Sequence, residues 1–218
     1  MRNRPLLLGH RGTRRLPNVP ENTFAAFDRA LDDGCDGFEF DVRLTRDGHG
    51  VVCHDPRYKN VTVAQAGVSR LGHLPTLEMV LERYASRAFV DIELKVPGLE
   101  ERMTVALAEN APARGYVVSS FLPEVLYTIH DKNQDIPLGF ICDRGDQLVL
   151  WRELPVDFVI LHHSLVRREL LEDVHAEGKK LFVWTVNLEK DMLRLADWGM
   201  DGVISDDTRQ LVRVLGSG

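Results

Sequence analysis

The residues with most chemical potential fall in alternating sets. His10 and Arg11 sit in the turn Gly9-His10-Arg11-Gly12, Glu39 and Asp41 are two apart, and Asp91, Glu93 and Lys95 alternate through 90–95. On an extended strand, residues two apart point to one face, so Glu39 and Asp41 share a face while Phe38, Phe40 and Val42 take the other. Carboxylates facing a core are costly unless paired or bound to metal. Two arrangements satisfy them: a buried salt network with Arg11, Arg43 or Lys95, or a divalent cation. An all-oxygen set suits Mg2+ or Ca2+, with Mn2+ also acceptable, rather than zinc. Arg11 offers a guanidinium fork and Lys95 an ammonium to anionic oxygens. A metal on a phosphoryl oxygen, with histidines at the attacking and leaving oxygens, is an arrangement for breaking phosphoesters.

These residues need a scaffold that brings strand ends together. Short apolar, β-rich runs occupy 6–9, 37–43, 51–54, 89–94, 116–120, 138–141, 158–161, 181–185 and 202–205. Most are continuously apolar, as expected for parallel strands covered on both faces. Helical signatures alternate with them. Asn22-Thr23 caps a stretch carrying Phe24, Phe27 and Leu31, Thr76 precedes Leu77, Val80, Leu81 and Tyr84, and Pro123 opens a stretch burying Val125, Leu126 and Ile129. Further helices are expected near 99–109, 146–152, 166–177, 189–197 and 208–215.

No helix fits between 37–43 and 51–54. Asp47-Gly48 lies there instead and signals a tight hairpin, so 51–54 is expected to return antiparallel beside the second strand. Eight βα units remain, the count of a (β/α)8 TIM barrel. A doubly wound sheet is the alternative, but its glycine fingerprint is missing. If Asp47-Gly48 is the whole loop, Asp41 faces His54, which folds a second histidine back onto the carboxylates. In a barrel, chemistry gathers at the C-terminal strand ends. Trp184-Thr185 and Asn187 fall at one such end. His162-His163 falls at another, where one ring should face the mouth.

Composition narrows the partners. The formal charge of −6 and the lack of a Lys/Arg-rich run argue against nucleic acid. Basic residues gather only near the start (Arg2, Arg4, Arg11, Arg14, Arg15), which reads as a local anion site. Cys35, Cys53 and Cys142 are widely spaced among apolar residues and suit a reducing compartment. Leu6-Leu7-Leu8 is too short for a signal-peptide core, and no run could span a bilayer. We therefore expect a cytoplasmic protein with a small-molecule substrate and no stable membrane association. A single domain over 1–218 is expected, with 55–75 as a short insertion loop; oligomeric state is not set by these features.

The same residues resemble the glycerophosphodiester phosphodiesterase family. The likeness runs through Gly9-His10-Arg11-Gly12, Pro20-Glu21-Asn22-Thr23, Gly37-x-Glu39-x-Asp41-Val42, Thr45-x-Asp47-Gly48 and Val51-Val52-x-His54-Asp55. It continues through Pro75-Thr76-Leu77-Glu78, Ile92-Glu93-Leu94-Lys95, Ser119-Ser120-Phe121, Trp184-Thr185-Val186-Asn187 and Gly199-x-Asp201-Gly202-Val203-x-Ser205-Asp206. The resemblance implies a TIM barrel that cleaves glycerophosphodiesters to glycerol 3-phosphate and an alcohol. It implies His10 and His54 as the acid/base pair and Glu39, Asp41 and Glu93 as ligands of one divalent cation. Arg11 and Lys95 would contact phosphate, Glu21 and Asn22 would brace the first loop, and Trp184 would wall the substrate pocket. The segment between His54 and Pro75 is shorter than in many relatives, which implies an open site with weak head-group selectivity. Two other functions compete: lysophospholipase D activity at the same centre, and a non-catalytic phosphodiester-binding module. The sequence lacks the exposed Trp/Phe-rich helix the first would use, and has kept every histidine and carboxylate the second would have lost.

Overall fold

The computed structural model describes residues 4–216, so Arg2 lies outside the described residues. β1 (Leu6–Gly9) leads through α1 (Phe24–Asp32) to β2 (Gly37–Leu44). β3 (Gly50–Val52) returns beside β2, and the short strands β4 (Arg57–Tyr58) and β5 (Val61–Thr62) pair with each other. Then follow α2 (Leu77–Tyr84), β6 (Phe89–Leu94), α3 (Glu100–Asn110), β7 (Tyr116–Ser120), α4 (Pro123–Lys132) and β8 (Leu138–Cys142). The chain ends with β9 (Phe158–His162), α5 (Arg168–Ala176), β10 (Lys180–Trp184), α6 (Glu189–Trp198), β11 (Gly202–Ser205) and α7 (Thr208–Leu215). Parallel pairing runs β1-β11-β10-β9-β8-β7-β6-β2 and closes through β1–β2, giving the expected eight-stranded barrel.

Alternation along the strands sorts side chains into two shells. Phe38, Phe40 and Val42 of β2, and Val90, Ile92 and Leu94 of β6, pack outward against the helices. Phe27 of α1 stacks on Phe38 at 4.3 Å, and Tyr84 of α2 meets Phe38 edge-on at 4.9 Å. Each such buried ring contributes about 2–3 kcal/mol. This aromatic seam locks β2 between α1 and α2, and so fixes which way its carboxylates face. The caps agree with the sequence reading: Thr23 accepts from Ala26 N, and Thr76 from Met79 N. Inside the barrel Leu8, Phe89, Val117, Ile141, Phe158, Ile160, Phe182 and Ile204 form a separate apolar plug.

Three expectations need correction. The hairpin loop has three residues, because Thr45 N bonds to His49 O and Gly48 takes a left-handed φ of 81°. Val42 therefore faces Val52, one residue out of the expected register, and Cys53 N rather than His54 bonds to Asp41 O. The helix expected near 146–152 is a 3-10 turn, Leu148–Arg152, since its run of adjacent apolar residues offers no single helical face and buries only Trp151. Among the described residues, the basic residues of the start do not form one anion site. Arg4 pairs with Asp36 at the opposite end of the barrel, whereas Arg11 and Arg14 share Glu21 at the strand mouths.

Between His54 and Pro75 the chain is ordered: beyond β4 and β5 it makes 3-10 turns at Val63–Gln65 and Val68–Leu71. Val63, Ala66 and Leu71 close a small cluster over Val51 and Cys53 of the β3 arm.

Candidate active site

The first loop is shaped by the Gly9–Gly12 turn. Gly12 has φ +83°, and a β-carbon there would lie 2.5 Å from the Ala26 carbonyl carbon, so α1 can close over the turn only with glycine at this position. Arg11 and Asn22 take left-handed φ values of 51° and 57°. Both are held there: Arg11 N donates to Glu39 Oε2 (2.8 Å), and Asn22 N to Arg11 O (3.0 Å). Asn22 Nδ2 donates to Asp41 Oδ2 (2.7 Å), and Asp41 N returns a bond to Asn22 Oδ1 (3.3 Å). Glu21 accepts from Arg11 Nη1 at 2.6 Å and also from Arg14. Glu21 and Asn22 thus brace the loop.

Register aligns the carboxylates. Asp41 is the partner of Glu93, Glu39 that of Asp91, and ligand oxygens of Glu39, Asp41 and Glu93 all lie within 4.8 Å of one another. All three residues are buried. Glu39 Oε1 has no partner, while Asp41 Oδ1 and Glu93 Oε1 have only the Lys95 ammonium, at 3.4 and 2.6 Å. Arg11 Nε adds a contact to Asp41 Oδ2 at 3.2 Å. Part of the alternative salt network is therefore present, but two cations do not neutralise three buried carboxylates. Burial and the neighbouring carboxylates push Glu39 well above the usual range and Glu93 up to about 8. Although burial would raise Asp41 too, Lys95, Arg11 and Asn22 hold it below the usual range. Orphaned, clustered oxygens of this kind fit a hard divalent cation. Arg43 takes no part; its Nε donates to the His54 carbonyl at 2.6 Å.

The two histidines reach the same cavity, of about 260 Å3, which Arg11, Glu39, Glu93, Lys95, Phe121, Asp143 and Trp184 also line. His54 arrives by a route the hairpin register does not supply. The strand ends at Val52, the last bond to β2 comes from Cys53 N, and the Arg43 Nε bond to the His54 carbonyl holds the chain where it leaves the hairpin. Burial lowers the His54 pKa, against the opposing pull of Asp41 and Asp55. His10 Nε2 lies 3.9 Å from Glu39 Oε2, and its Nδ1 lies 2.8 Å from Asp206 Oδ1. Trp184 walls the cavity, edge-on to Phe121 at 5.8 Å and to His162 at 5.3 Å, while neither ring of the His162-His163 pair is among the residues lining it.

Asp206, Asp91 and Asp143 have no role that spacing alone predicts. Asp206 directly follows β11, at a C-terminal strand end, the same signal that singled out His10. Asp91 lies on the carboxylate face but one layer deeper, where burial drives it up to about 7 and Ser119 Oγ donates to it at 2.5 Å.

A (β/α)8 barrel with two histidines, clustered carboxylates and the Arg11 and Lys95 cations at its strand mouths fits a phosphoester-cleaving class of enzyme. The profile of the Glycerophosphoryl diester phosphodiesterase family matches residues 10–78 and 70–210. The chain belongs to this family and is a glycerophosphodiester phosphodiesterase. A glycerophosphodiester phosphodiesterase of Caldanaerobacter subterraneus subsp. tengcongensis is 33% identical over 241 residues, covering 98% of each chain. Among solved structures, a glycerophosphodiester phosphodiesterase from Parabacteroides distasonis superposes with a TM-score of 0.85 at 23% identity, covering 100% of this chain and 99% of that one. The Oleispira antarctica phosphodiesterase solved with the product sn-glycerol-3-phosphate gives 0.85 at 24%, covering 98% of each chain. Among the described residues no helix is long and apolar enough to cross a membrane.

Proposed function

We propose that this chain, a single catalytic domain over residues 1–218, hydrolyses glycerophosphodiesters to glycerol 3-phosphate and an alcohol. His10 and His54 act as its acid/base pair, and a divalent cation sits on Glu39, Asp41 and Glu93. The observation that carries the reading is the convergence of both histidines on one cavity with the carboxylate cluster. A bound Mg2+ or Ca2+ would neutralise charge on a phosphoryl oxygen and satisfy the orphaned oxygens. Arg11 and Lys95 hold the remaining phosphate oxygens. One histidine takes the proton of the glycerol hydroxyl next to the ester, and that oxygen attacks phosphorus. The other histidine gives its proton to the departing alkoxide, and water then opens the cyclic phosphate with the roles reversed. Trp184 and Phe121 confine the organic part of the substrate beside the phosphate. The buried, unpaired Cys35, Cys53 and Cys142 suit a reducing cytoplasm.

The test is glycerol 3-phosphate release from glycerophosphocholine with purified protein, with divalent cation and with EDTA. Turnover should require the cation, and His10→Ala should lower kcat at least about 10²-fold with the fold retained. No product under any divalent ion overturns the reading.

A further inference from the structure

The two histidines do not stand in equivalent surroundings. The carboxylate beside His54 Nδ1 belongs to Asp55, whose side chain is 74% exposed. The one beside His10 Nδ1 belongs to Asp206, only 17% exposed and held from three sides. Arg14 Nη1 donates to Asp206 Oδ1 at 3.1 Å, and Asn187 Nδ2 donates to Oδ2 at 2.8 Å. Asn187 cannot flip to relax this contact. Its Oδ1 already accepts from Ser205 Oγ and from Asp206 N, both at 3.0 Å. The Asp206 backbone is fixed as well, because its carbonyl accepts from Arg14 N at 3.0 Å and from Thr13 Oγ1 at 3.2 Å.

An ionised carboxylate offers acceptors only, so the bond at 2.8 Å requires the proton on His10 Nδ1. We propose that Asp206 is a positioning residue. By accepting the Nδ1 proton it fixes the imidazole ring and its tautomer, leaving the Nε2 lone pair facing the cavity as the proton acceptor of the hydrolysis. When Nε2 takes a proton, the imidazolium forms against a fixed negative charge. The exposed Asp55 carboxylate, screened by water, gives His54 no comparable hold. Asn187 and Arg14 act through Asp206, and the catalytic consequence rests on the hydrolysis proposed above.

The experiment has two arms. ¹⁵N NMR of the full chain in mildly alkaline buffer reads the His10 tautomer; Nδ1–H is expected in the parent, with a reduced share in Asp206→Ala. In glycerophosphocholine turnover, Asp206→Ala should lower kcat about 10²-fold or more while KM stays within about twofold. Asp206→Asn should also lower kcat, since an amide there meets two fixed donors, His10 Nδ1–H and Asn187 Nδ2, with one oxygen. Asn187→Ala keeps the carboxylate but frees it, and should lower kcat by about tenfold. An Nε2–H tautomer in the parent overturns the proposal. So does a folded Asp206→Ala protein with kcat within about threefold of the parent. A parent without turnover sinks the hydrolysis reading and leaves the tautomer to decide this one; a misfolded Asp206→Ala leaves the parent spectrum and Asn187→Ala to decide it.

Discussion

Glu39, Asp41 and Glu93 sit on two neighbouring strands yet hold protons unequally. Lys95 and Arg11 keep Asp41 ionised, while Glu93 is driven from an ordinary 4.5 to about 8. An acid whose folded-state pKa is raised binds more protons folded than unfolded, so it penalises the fold as pH climbs through that interval. With EDTA present, stability should therefore fall between about pH 5 and pH 8, and a divalent cation should restore it. Melting temperature with and without Mg2+ or Ca2+ across this range checks the point, and the gain should widen with pH. Glu93→Gln should narrow the widening, leaving the part due to Glu39; an equal gain at every pH in the parent would contradict it. These carboxylates were legible because strand alternation separates them from Phe38, Phe40 and Val42. The pairing of Asp206 with His10 was not, because it joins residues 196 apart and depends on which strands close the barrel.

At the scale of elements, the β2–β3 hairpin shows what the sequence can and cannot specify. Asp47-Gly48 correctly announced a tight return, but a three-residue loop and a two-residue loop share that signature, and one residue reverses every facing pair. His54 still reaches the cavity because the ladder ends before it and Arg43 holds its carbonyl. The short strands β4 and β5 were unreadable for a simpler reason: two residues carry no periodicity. The loop itself has a testable economy. Gly48 has φ +81° and no atom within 4 Å of where a β-carbon would sit. Gly48→Ala should thus cost about 1 kcal/mol through backbone strain alone. A urea titration reads that loss, and kcat/KM should stay within about twofold; a larger fall would mean the loop shape governs the His54 arm.

Over the whole molecule, the barrel separates a reactive mouth from a sealed base. Phe158 meets Phe182 at 5.0 Å, and Phe89 meets Phe182 at 5.9 Å, which fills the interior below the carboxylates. At that base Asp36, Asp157 and Asp201 each accept a backbone N–H from a neighbouring strand, those of Leu7, Leu138 and Leu181. Phe158→Ala should remove about 3–5 kcal/mol in a denaturant titration by leaving a cavity in the plug. KM should not change while the protein remains folded; a raised KM would mean the base couples to the mouth. The strand count made this architecture legible, whereas the aromatic plug depends on ring placement that apolar runs do not encode. The Asp206–His10 bond carries a further consequence for biosynthesis. The two partners lie 196 residues apart, so one is made well before the other, and β11 must dock on β1 before they meet. A half-made chain can carry His10, His54 and every proposed metal ligand and still lack the group that aims the first histidine. Full turnover then waits until β11 has found β1, so the rise of activity in a translation reaction would time the closure of the barrel.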